Sequence, residues 1–245
     1  MKKLIMANWK MNLSIKESLE LAKQYSKKIS SSKNEVVLCP DFASIAFIGP
    51  VLKGTKILLG AQDSAAYNIG AYTGEVSPKN LKVLGVKYVI LGHSERREHL
   101  HENSSIINNK IKVALENKLT PVLCIGEKLI QKEAGETKLF LLQELRHALK
   151  GVKIKTGNDL VIAYEPVWAI SSNKNAKPII PEEASEIQAY IKAQAKKILH
   201  LEVRVLYGGS VNSANASEFL KQNNIDGLLV GGASLKLNEF SIIVS

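Results

Sequence analysis

Eight short apolar runs recur along the chain, and a longer stretch with helical spacing separates each run from the next. The runs are KLIMANW, EVVLCP, KILLGA, VKYVILG, TPVLCIG, LVIAYEP, VRVLYGG and GLLVGG. They are almost wholly apolar rather than alternating, which is typical of parallel strands covered on the outside by helices. Eight such strands alternating with helices predict an α/β fold, a closed (β/α)8 barrel.

The alternative is an open doubly wound sheet, which also alternates strands and helices. No GxGxxG pattern follows the first strand, so the sequence favours the closed barrel over this alternative. The chain has 245 residues, of which 45% are hydrophobic, enough for one large core. No linker or low-complexity tract divides it, so we expect one domain over 1–245.

The local sequence contains N-terminal capping signals for three helices. Ser14 with Glu17 fits a capping box. Ser77 followed by Pro78 reads as an N-cap with proline at the first helical position. The PEE stretch at 181–183 places proline and acids in a first turn, where the helix dipole favours them.

Composition and charge indicate which classes of binding partner and which cellular compartment to expect. The net charge is +10, but the lysines are scattered, so a solvated basic surface is favoured over a nucleic-acid patch. Cys39 and Cys124 lie in apolar runs without metal-binding spacing, which indicates buried reduced thiols in a cytoplasmic protein. The apolar start is interrupted at 8–10, too early for a secretory signal. No run approaches the ~18 apolar residues of a membrane span, so no membrane partner is expected.

Polar residues and glycines follow the predicted strands at their carboxyl ends, where barrel active sites lie. They are Asn8 and Lys10 after strand 1, His93 and Glu95 after strand 4, Glu165 after strand 6, Ser210 after strand 7, and Gly231 and Gly232 after strand 8. We expect these groups to converge on one mouth.

Each of these side chains also has a plainer interpretation. Glu165 precedes a proline, which favours extended backbone and would hold the carboxylate in its strand at the rim, but an exposed strand-end Glu can simply pair with a Lys. Lys10 would point the same way as Asn8 if both lie on a strand, yet it could merely be solvated. His93 alone would more often be a structural histidine. Their common position favours a catalytic set.

The glycine pairs in YGGSV and VGGAS predict an anion site. Glycine-rich turns between strand and helix present bare N–H groups, and phosphate commonly binds after strands 7 and 8 of a barrel. Either pair alone is weak evidence, because tight turns need glycine in any case.

Several motifs together resemble the triosephosphate isomerase family over nearly the whole chain. They are ANWKMN (7–12), GAQD (60–63), GAYTGEVSP (70–78), ILGHSERR (90–97), PVLCIGE (121–127), AYEPVWAI (163–170), LYGGSV (206–211) and DGLLVGGASL (226–235). The resemblance implies a TIM barrel that interconverts dihydroxyacetone phosphate and glyceraldehyde 3-phosphate, in glycolysis and gluconeogenesis, without metal or cofactor.

The resemblance also implies a role for each catalytic residue. Glu165 would be the base that moves a proton between adjacent carbons, and His93 would donate to the enediolate oxygens. Lys10 would balance negative charge, and Asn8 would position the substrate. Glu95 would orient Lys10.

For the phosphate, the resemblance implies a clamp of backbone N–H groups from Ser171, Ser210, Gly231 and Gly232. The chain departs from the family in the lid, where SSNKNA stands after WAI and the family usually has glycines at the places of Ser171 and Asn173. This departure leaves the ease of lid closure open.

The GAYTGE segment, which contains Tyr72 and Thr73, matches a loop that inserts into a second subunit, so a homodimer is implied. Two alternatives to an isomerase fit part of the sequence. Another phosphate-binding barrel explains the glycine pairs but not YEPVWAI or GHSERR. A catalytically silent binding barrel is disfavoured by the intact set of Glu165, His93 and Lys10.

Overall fold

The computed structural model describes residues 2–29, 32–170 and 179–245. Eight parallel strands close into a barrel in chain order, with the last strand paired to the first. The strands are β1 (Leu4–Asn8), β2 (Glu35–Cys39), β3 (Leu58–Ala61), β4 (Val86–Leu91), β5 (Thr120–Ile125), β6 (Val161–Tyr164), β7 (Arg204–Tyr207) and β8 (Gly227–Val230). The predicted (β/α)8 TIM barrel, a single-domain fold, is therefore confirmed.

Helices surround the barrel and connect successive strands. Among the described residues they are α1 (Ile15–Lys28), α2 (Phe42–Leu52), α3 (Pro78–Val83), α4 (Ser94–His99), α5 (Ser104–Glu116), α6 (Leu129–Glu133), α7 (Thr137–Ala148), α8 (Pro181–Leu199), α9 (Ala216–Lys221) and α10 (Leu237–Ile243). Short 3₁₀ segments lie at Val167–Ala169 and Gly232–Leu235. None of the helices in the described ranges is long and apolar enough to cross a membrane.

The three predicted helix starts are all present. The Ser14 hydroxyl accepts from the Glu17 N–H, and the Glu17 carboxylate accepts from the Ser14 N–H at 2.8 Å, which completes the capping box of α1. Ser77 caps α3 directly before its proline. Helix α8 begins at Pro181. At these three helices, the N-terminus predicted from the local sequence and the observed N-terminus therefore agree.

Side chains alternate between two cores along each strand. Those inside the barrel are Leu4, Met6, Val37, Cys39, Tyr88, Ile90, Val122, Cys124, Val161, Ala163, Leu206 and Leu229. The intervening residues, such as Ile5 and Ala7, pack outward against the helices. The inward series continues by steps of two into the mouth, where it reaches Asn8, Gly92, Gly126, Glu165, Gly208 and Gly231. The alternation therefore fixes which positions can face a substrate.

Two local predictions at the strand ends were wrong. Strand β6 ends at Tyr164, one residue before Glu165, although the Glu165 N–H still donates to the Ile125 carbonyl at 2.8 Å. Strand β1 ends at Asn8, and Lys10 lies beyond it with a φ of 52°. The left-handed backbone at Lys10 turns the chain off the strand, so strand geometry does not orient its side chain.

Candidate active site

Glu165 lies at the centre of the mouth and is only 2% exposed. Its Oε1 is 3.3 Å from His93 Nε2. Its Oε2 accepts from the Ser94 N–H at 3.5 Å, a long hydrogen bond. Both contacts are long for a buried carboxylate, so its oxygens remain available for contact with a small ligand in the mouth.

Two glycines let the neighbouring strands approach Glu165 closely. A Cβ on Gly208 would lie 2.8 Å from Glu165 Cγ. A Cβ on Gly126 would lie 1.8 Å from the Glu165 carbonyl oxygen, a distance that no side chain could occupy. Any larger residue at either position would displace Glu165. These glycines therefore determine where the carboxylate sits.

His93 is buried and forms the N-cap of α4. Its Nδ1 accepts from the Glu95 N–H at 3.2 Å. A nitrogen that accepts a hydrogen bond carries no proton, so the ring is the neutral tautomer with its proton on Nε2. The ring thus directs an N–H donor toward the same space as Glu165, as the predicted role of His93 as a hydrogen-bond donor requires.

Lys10 adopts an uncommon backbone conformation, and two side chains hold it there. The Asn8 amide oxygen accepts from the Lys10 N–H at 3.1 Å, and Gln62 Nε2 donates to the Lys10 carbonyl at 2.9 Å. Left-handed backbone costs a non-glycine residue on the order of 1–2 kcal/mol. The Lys10 ammonium lies 2.5 Å from Glu95 Oε1, as expected if Glu95 orients it.

Gln62 was not predicted as a site residue, although it belongs to the GAQD motif. Leu58 packs against the inner core, and Gln62 follows it in steps of two through Gly60. The same alternation that places Asn8 and Glu165 in the mouth would have identified Gln62. Its amide also donates to the Cys39 carbonyl at 3.0 Å, which ties Lys10 to strand β2.

The predicted anion-binding turns lie beside these side chains. Gly232 opens a 3₁₀ turn, and a Cβ on Gly231 would lie 3.7 Å from Lys10 Cε. The Ser210 N–H donates to the Ala169 carbonyl at 3.1 Å. An anion could therefore use this N–H only if the segment that carries Ala169 moved.

Ser171 and Asn173, at which the lid sequence departs from the family, lie outside the described residues. The chain that leads to them is fixed at its start. Trp168 Nε1 donates to Glu127 Oε1 at 2.8 Å, and the Val167 N–H donates to the Glu127 carbonyl at 3.0 Å. Burial raises the pKa of Glu127, against the hydrogen bond from Trp168. Glu127, which was also missed from the sequence, anchors the entry to the lid.

Cys39 and Cys124 are buried free thiols, as predicted. Burial, together with the negative charge of Glu165, raises the pKa of the Cys124 thiol well above its usual value. The thiol is therefore neutral and poorly suited to act as a nucleophile. Within the described ranges, no three His, Cys, Asp or Glu residues are grouped so that they could hold a metal ion.

A sequence model described as triosephosphate isomerase matches residues 3–245 of the chain. The triosephosphate isomerase of Alkaliphilus oremlandii is 42% identical, and the alignment covers 100% of this chain and 99% of the relative. That of Dictyoglomus thermophilum is 44% identical over 99% of this chain and 98% of the relative. The chain belongs to the triosephosphate isomerase family.

A solved structure of a family member gives the same result at the level of the fold. Triosephosphate isomerase from Bartonella henselae superposes with a TM-score of 0.88 and 32% identity, covering 99% of this chain and 98% of that one. The predicted family, fold and isomerase class are thus confirmed. The activity of the triosephosphate isomerase family is the interconversion of dihydroxyacetone phosphate and glyceraldehyde 3-phosphate, as predicted.

Proposed function

We propose that this chain interconverts dihydroxyacetone phosphate and D-glyceraldehyde 3-phosphate by proton transfer through an enediolate, with Glu165 as the base. One observation carries the proposal: a carboxylate that is 2% exposed lies 3.3 Å from the Nε2 of a neutral histidine. A base and a hydrogen-bond donor at that separation can contact a carbon and an oxygen of one small substrate.

The reaction needs two proton movements. Glu165 takes a proton from C1 of dihydroxyacetone phosphate, and the C2 carbonyl becomes an enediolate oxygen. His93 donates from Nε2 to that oxygen and receives the proton of the C1 hydroxyl, which moves the negative charge to the C1 oxygen. Protonated Glu165 then returns its proton to C2, and the C1 oxygen becomes the aldehyde carbonyl. Burial of the carboxylate excludes water that would compete for the enediolate.

Lys10 and Asn8 would bind the substrate's polar atoms. The Lys10 ammonium opposes the negative charge of the phosphate and of the enediolate, and Glu95 holds it at 2.5 Å. Asn8 is buried and both supports the Lys10 backbone and faces the mouth. Neither residue removes a proton from carbon in this scheme.

The phosphate would bind to backbone N–H groups of Ser171, Ser210, Gly231 and Gly232. Gly231 and Gly232 support this assignment because they begin a 3₁₀ turn beside Lys10. Release of the Ser210 N–H from Ala169 would accompany binding. Lid closure and phosphate binding would then be linked through one hydrogen bond.

A coupled assay with glyceraldehyde 3-phosphate tests the activity, and the same assay with unphosphorylated glyceraldehyde tests the clamp. Remote binding energy raises turnover as well as affinity, so glyceraldehyde should be a very poor substrate even at saturation. Equal turnover of both compounds would remove the clamp from the scheme. No turnover of the phosphorylated compound would remove the proposed activity.

We also propose that the whole chain, 1–245, is one domain that forms a cytoplasmic homodimer through the 70–75 loop. Apolar side chains in and next to this loop are exposed, including Ile69 at 89% and Tyr72 at 43%. Tyr67 and Tyr72 stack with ring centroids 4.1 Å apart, which makes a rigid aromatic ridge. Exposed apolar groups of this size favour burial against a second copy.

Thr73→Arg should weaken the dimer and lower activity together. Thr73 is exposed in the single chain, so the substitution should not disturb the fold of the subunit itself. An unpaired charge pressed into an interface is costly. Light scattering and the coupled assay, run at the same protein concentrations, check this result. A fully active monomer would contradict both the interface and its link to catalysis.

A further inference from the structure

Arg97, on α4, joins three structural elements at the barrel mouth. Its Nε donates to the Gly92 carbonyl at 2.7 Å, and one terminal nitrogen donates to the Cys124 carbonyl at 3.0 Å. The other terminal nitrogen lies 3.0 Å from Glu144 Oε1 on α7. All three guanidinium nitrogens are therefore engaged, in the planar fork that only arginine provides.

Glu144 extends this connection to strand β5. Its second oxygen, Oε2, accepts from the Gly126 N–H at 2.9 Å. The side chain is buried. The pair of Arg97 and Glu144 thus fixes the backbone on both sides of the β5 end, at Cys124 and at Gly126.

The backbone groups that the pair holds are those next to the two reactive side chains. Gly92 directly precedes His93. Gly126 packs against the Glu165 carbonyl so closely that a Cβ would meet it at 1.8 Å. A shift at Gly92 would move the imidazole, and a shift at Gly126 would move the carboxylate.

We propose that Arg97 and Glu144 are positioning residues that set the separation of His93 and Glu165. The proposal rests on the proposed function, in which these two side chains carry the proton transfers. Neither Arg97 nor Glu144 takes part in those transfers. They act through the backbone of the residues that do.

A cavity beside the glycine contacts leaves part of the surrounding backbone without close packing. A cavity of about 200 Å³ lies between the β4, β5 and β6 ends, and its walls include Arg97, Cys124, Glu144 and Glu165. No side chain of the described residues fills this volume, so on this side the hydrogen bonds of Arg97 and Glu144 add to van der Waals contact in holding the adjacent backbone. The neighbouring Arg96 pairs instead with Asp63 and Glu102, away from this cavity.

Arg97→Met and Arg97→Lys test the positioning role of Arg97 directly. Methionine keeps much of the volume and loses every hydrogen bond, while lysine keeps the charge and loses the fork. We expect kcat to fall tenfold or more in both variants with KM within twofold of the original, since a misplacement of ~1 Å can cost on the order of 10²-fold. Glu144→Gln keeps an acceptor for the Gly126 N–H but loses the charge, so its kcat should fall less than that of the Arg97 variants.

A matched control comes from the same helix as Glu144. Arg146 is exposed on α7, so Arg146→Met removes a positive charge without touching the mouth and should leave kcat unchanged. Circular dichroism, thermal unfolding and subunit mass establish that each variant is folded and associated as the unsubstituted protein is. The primary deuterium isotope effect on proton abstraction should increase in Arg97→Met, because the chemical step becomes slower than substrate release.

The outcomes separate the two proposals. Failure of the unsubstituted protein to isomerise would overturn the proposed function. An active unsubstituted protein together with a folded Arg97→Met of unchanged kcat would overturn the positioning role. A purely structural role predicts activity lost only in proportion to unfolded protein, with the isotope effect unchanged. If Arg97→Met does not fold, unchanged kcat in folded Arg97→Lys and Glu144→Gln overturns the proposal equally.

Discussion

The two ends of the barrel each contain a cluster of polar side chains, and the clusters are bonded differently. At the floor, where the strands begin, Arg204 donates to Glu35 Oε2 at 2.8 Å and to the Tyr88 hydroxyl at 2.8 Å. The Tyr88 hydroxyl in turn donates to Glu35 Oε1 at 2.7 Å, which closes a triangle. At the mouth, Glu165 lies 3.3 Å from His93 and makes no comparably short contact with it.

Burial does not explain this difference. Arg204, Tyr88, His93 and Glu165 are all buried. What differs is how the groups bond to one another: the floor groups form short hydrogen bonds among themselves, although Arg204 Nε has no partner among the described residues, while His93 and Glu165 direct their polar atoms into a shared space. A network whose members satisfy one another stabilises a fold, and one with remaining capacity can bind and react.

The largest expected effect is at the floor. Arg204→Met should lower the free energy of unfolding by about 2 kcal/mol, between the costs of breaking an exposed and a buried pair, because Arg204 is buried and Glu35 is partly exposed. Turnover by the folded protein should be unchanged, since the mouth lies at the opposite strand ends. Urea unfolding at fixed protein concentration and the coupled assay measure the two quantities.

Lys87→Met is the matched control for Arg204→Met. Lys87 contacts the same carboxylate at 3.1 Å, but its side chain is about half exposed, 49%. Exposed pairs contribute roughly 0–1 kcal/mol. Equal destabilisation by the two substitutions, or a loss of turnover in folded Arg204→Met, would contradict the claim that the floor cluster stabilises the fold without a part in the reaction.

A smaller effect is expected from Gly208→Ala at the mouth. The new methyl would lie 2.8 Å from Glu165 Cγ, so the carboxylate must shift. We expect kcat to fall about tenfold, less than the ~10²-fold that a misplacement of ~1 Å can cause. Full activity in this variant would mean that the position of Glu165 is not tightly set by Gly208.

The smallest effect concerns the pH dependence of stability. Burial disfavours ionisation of Glu35, but hydrogen bonds from Arg204, Tyr88 and Lys87 outweigh it and hold its pKa at about 2. A lowered carboxyl pKa stabilises the fold above the unfolded value, 4.5, and this contribution is lost as the pH falls toward 2.

Glu35→Gln removes that titration, so its unfolding free energy should fall less steeply with decreasing pH than that of the unsubstituted protein between about 4.5 and 2. We expect a difference of less than ~1 kcal/mol, because Glu35 is partly exposed to solvent. Urea unfolding at several pH values checks the two slopes, and parallel slopes would contradict the assignment of this pKa to the floor network.

Much of the fold was predictable because each strand coincides with a short apolar run in the sequence. The same local signal located the mouth, since a polar residue directly after a buried strand, such as Glu165, must lie at the strand's carboxyl end. Family membership then followed from short motifs. The catalytic roles of Glu165, His93 and Lys10 remain predictions until the variants are assayed.

What the sequence did not indicate depends on contacts between distant elements. The left-handed turn at Lys10 is held in part by Gln62, which alternation could place in the mouth but could not pair with the carbonyl of a residue 52 positions away. The hydrogen bond from Ser210 to Ala169 joins two turns and depends on how they pack. The link between Arg97 and Glu144 likewise forms only when two helices meet across the end of a strand.

The central claim is that the mouth carries the reaction through the placement of Glu165, and Glu165→Asp tests it most directly. Retracting the carboxylate by one methylene misplaces it by about 1 Å, so kcat should fall on the order of 10²-fold. The free energy of unfolding should change by no more than ~1 kcal/mol, the scale of one buried methylene. Turnover within a factor of two of the unsubstituted protein would contradict the claim.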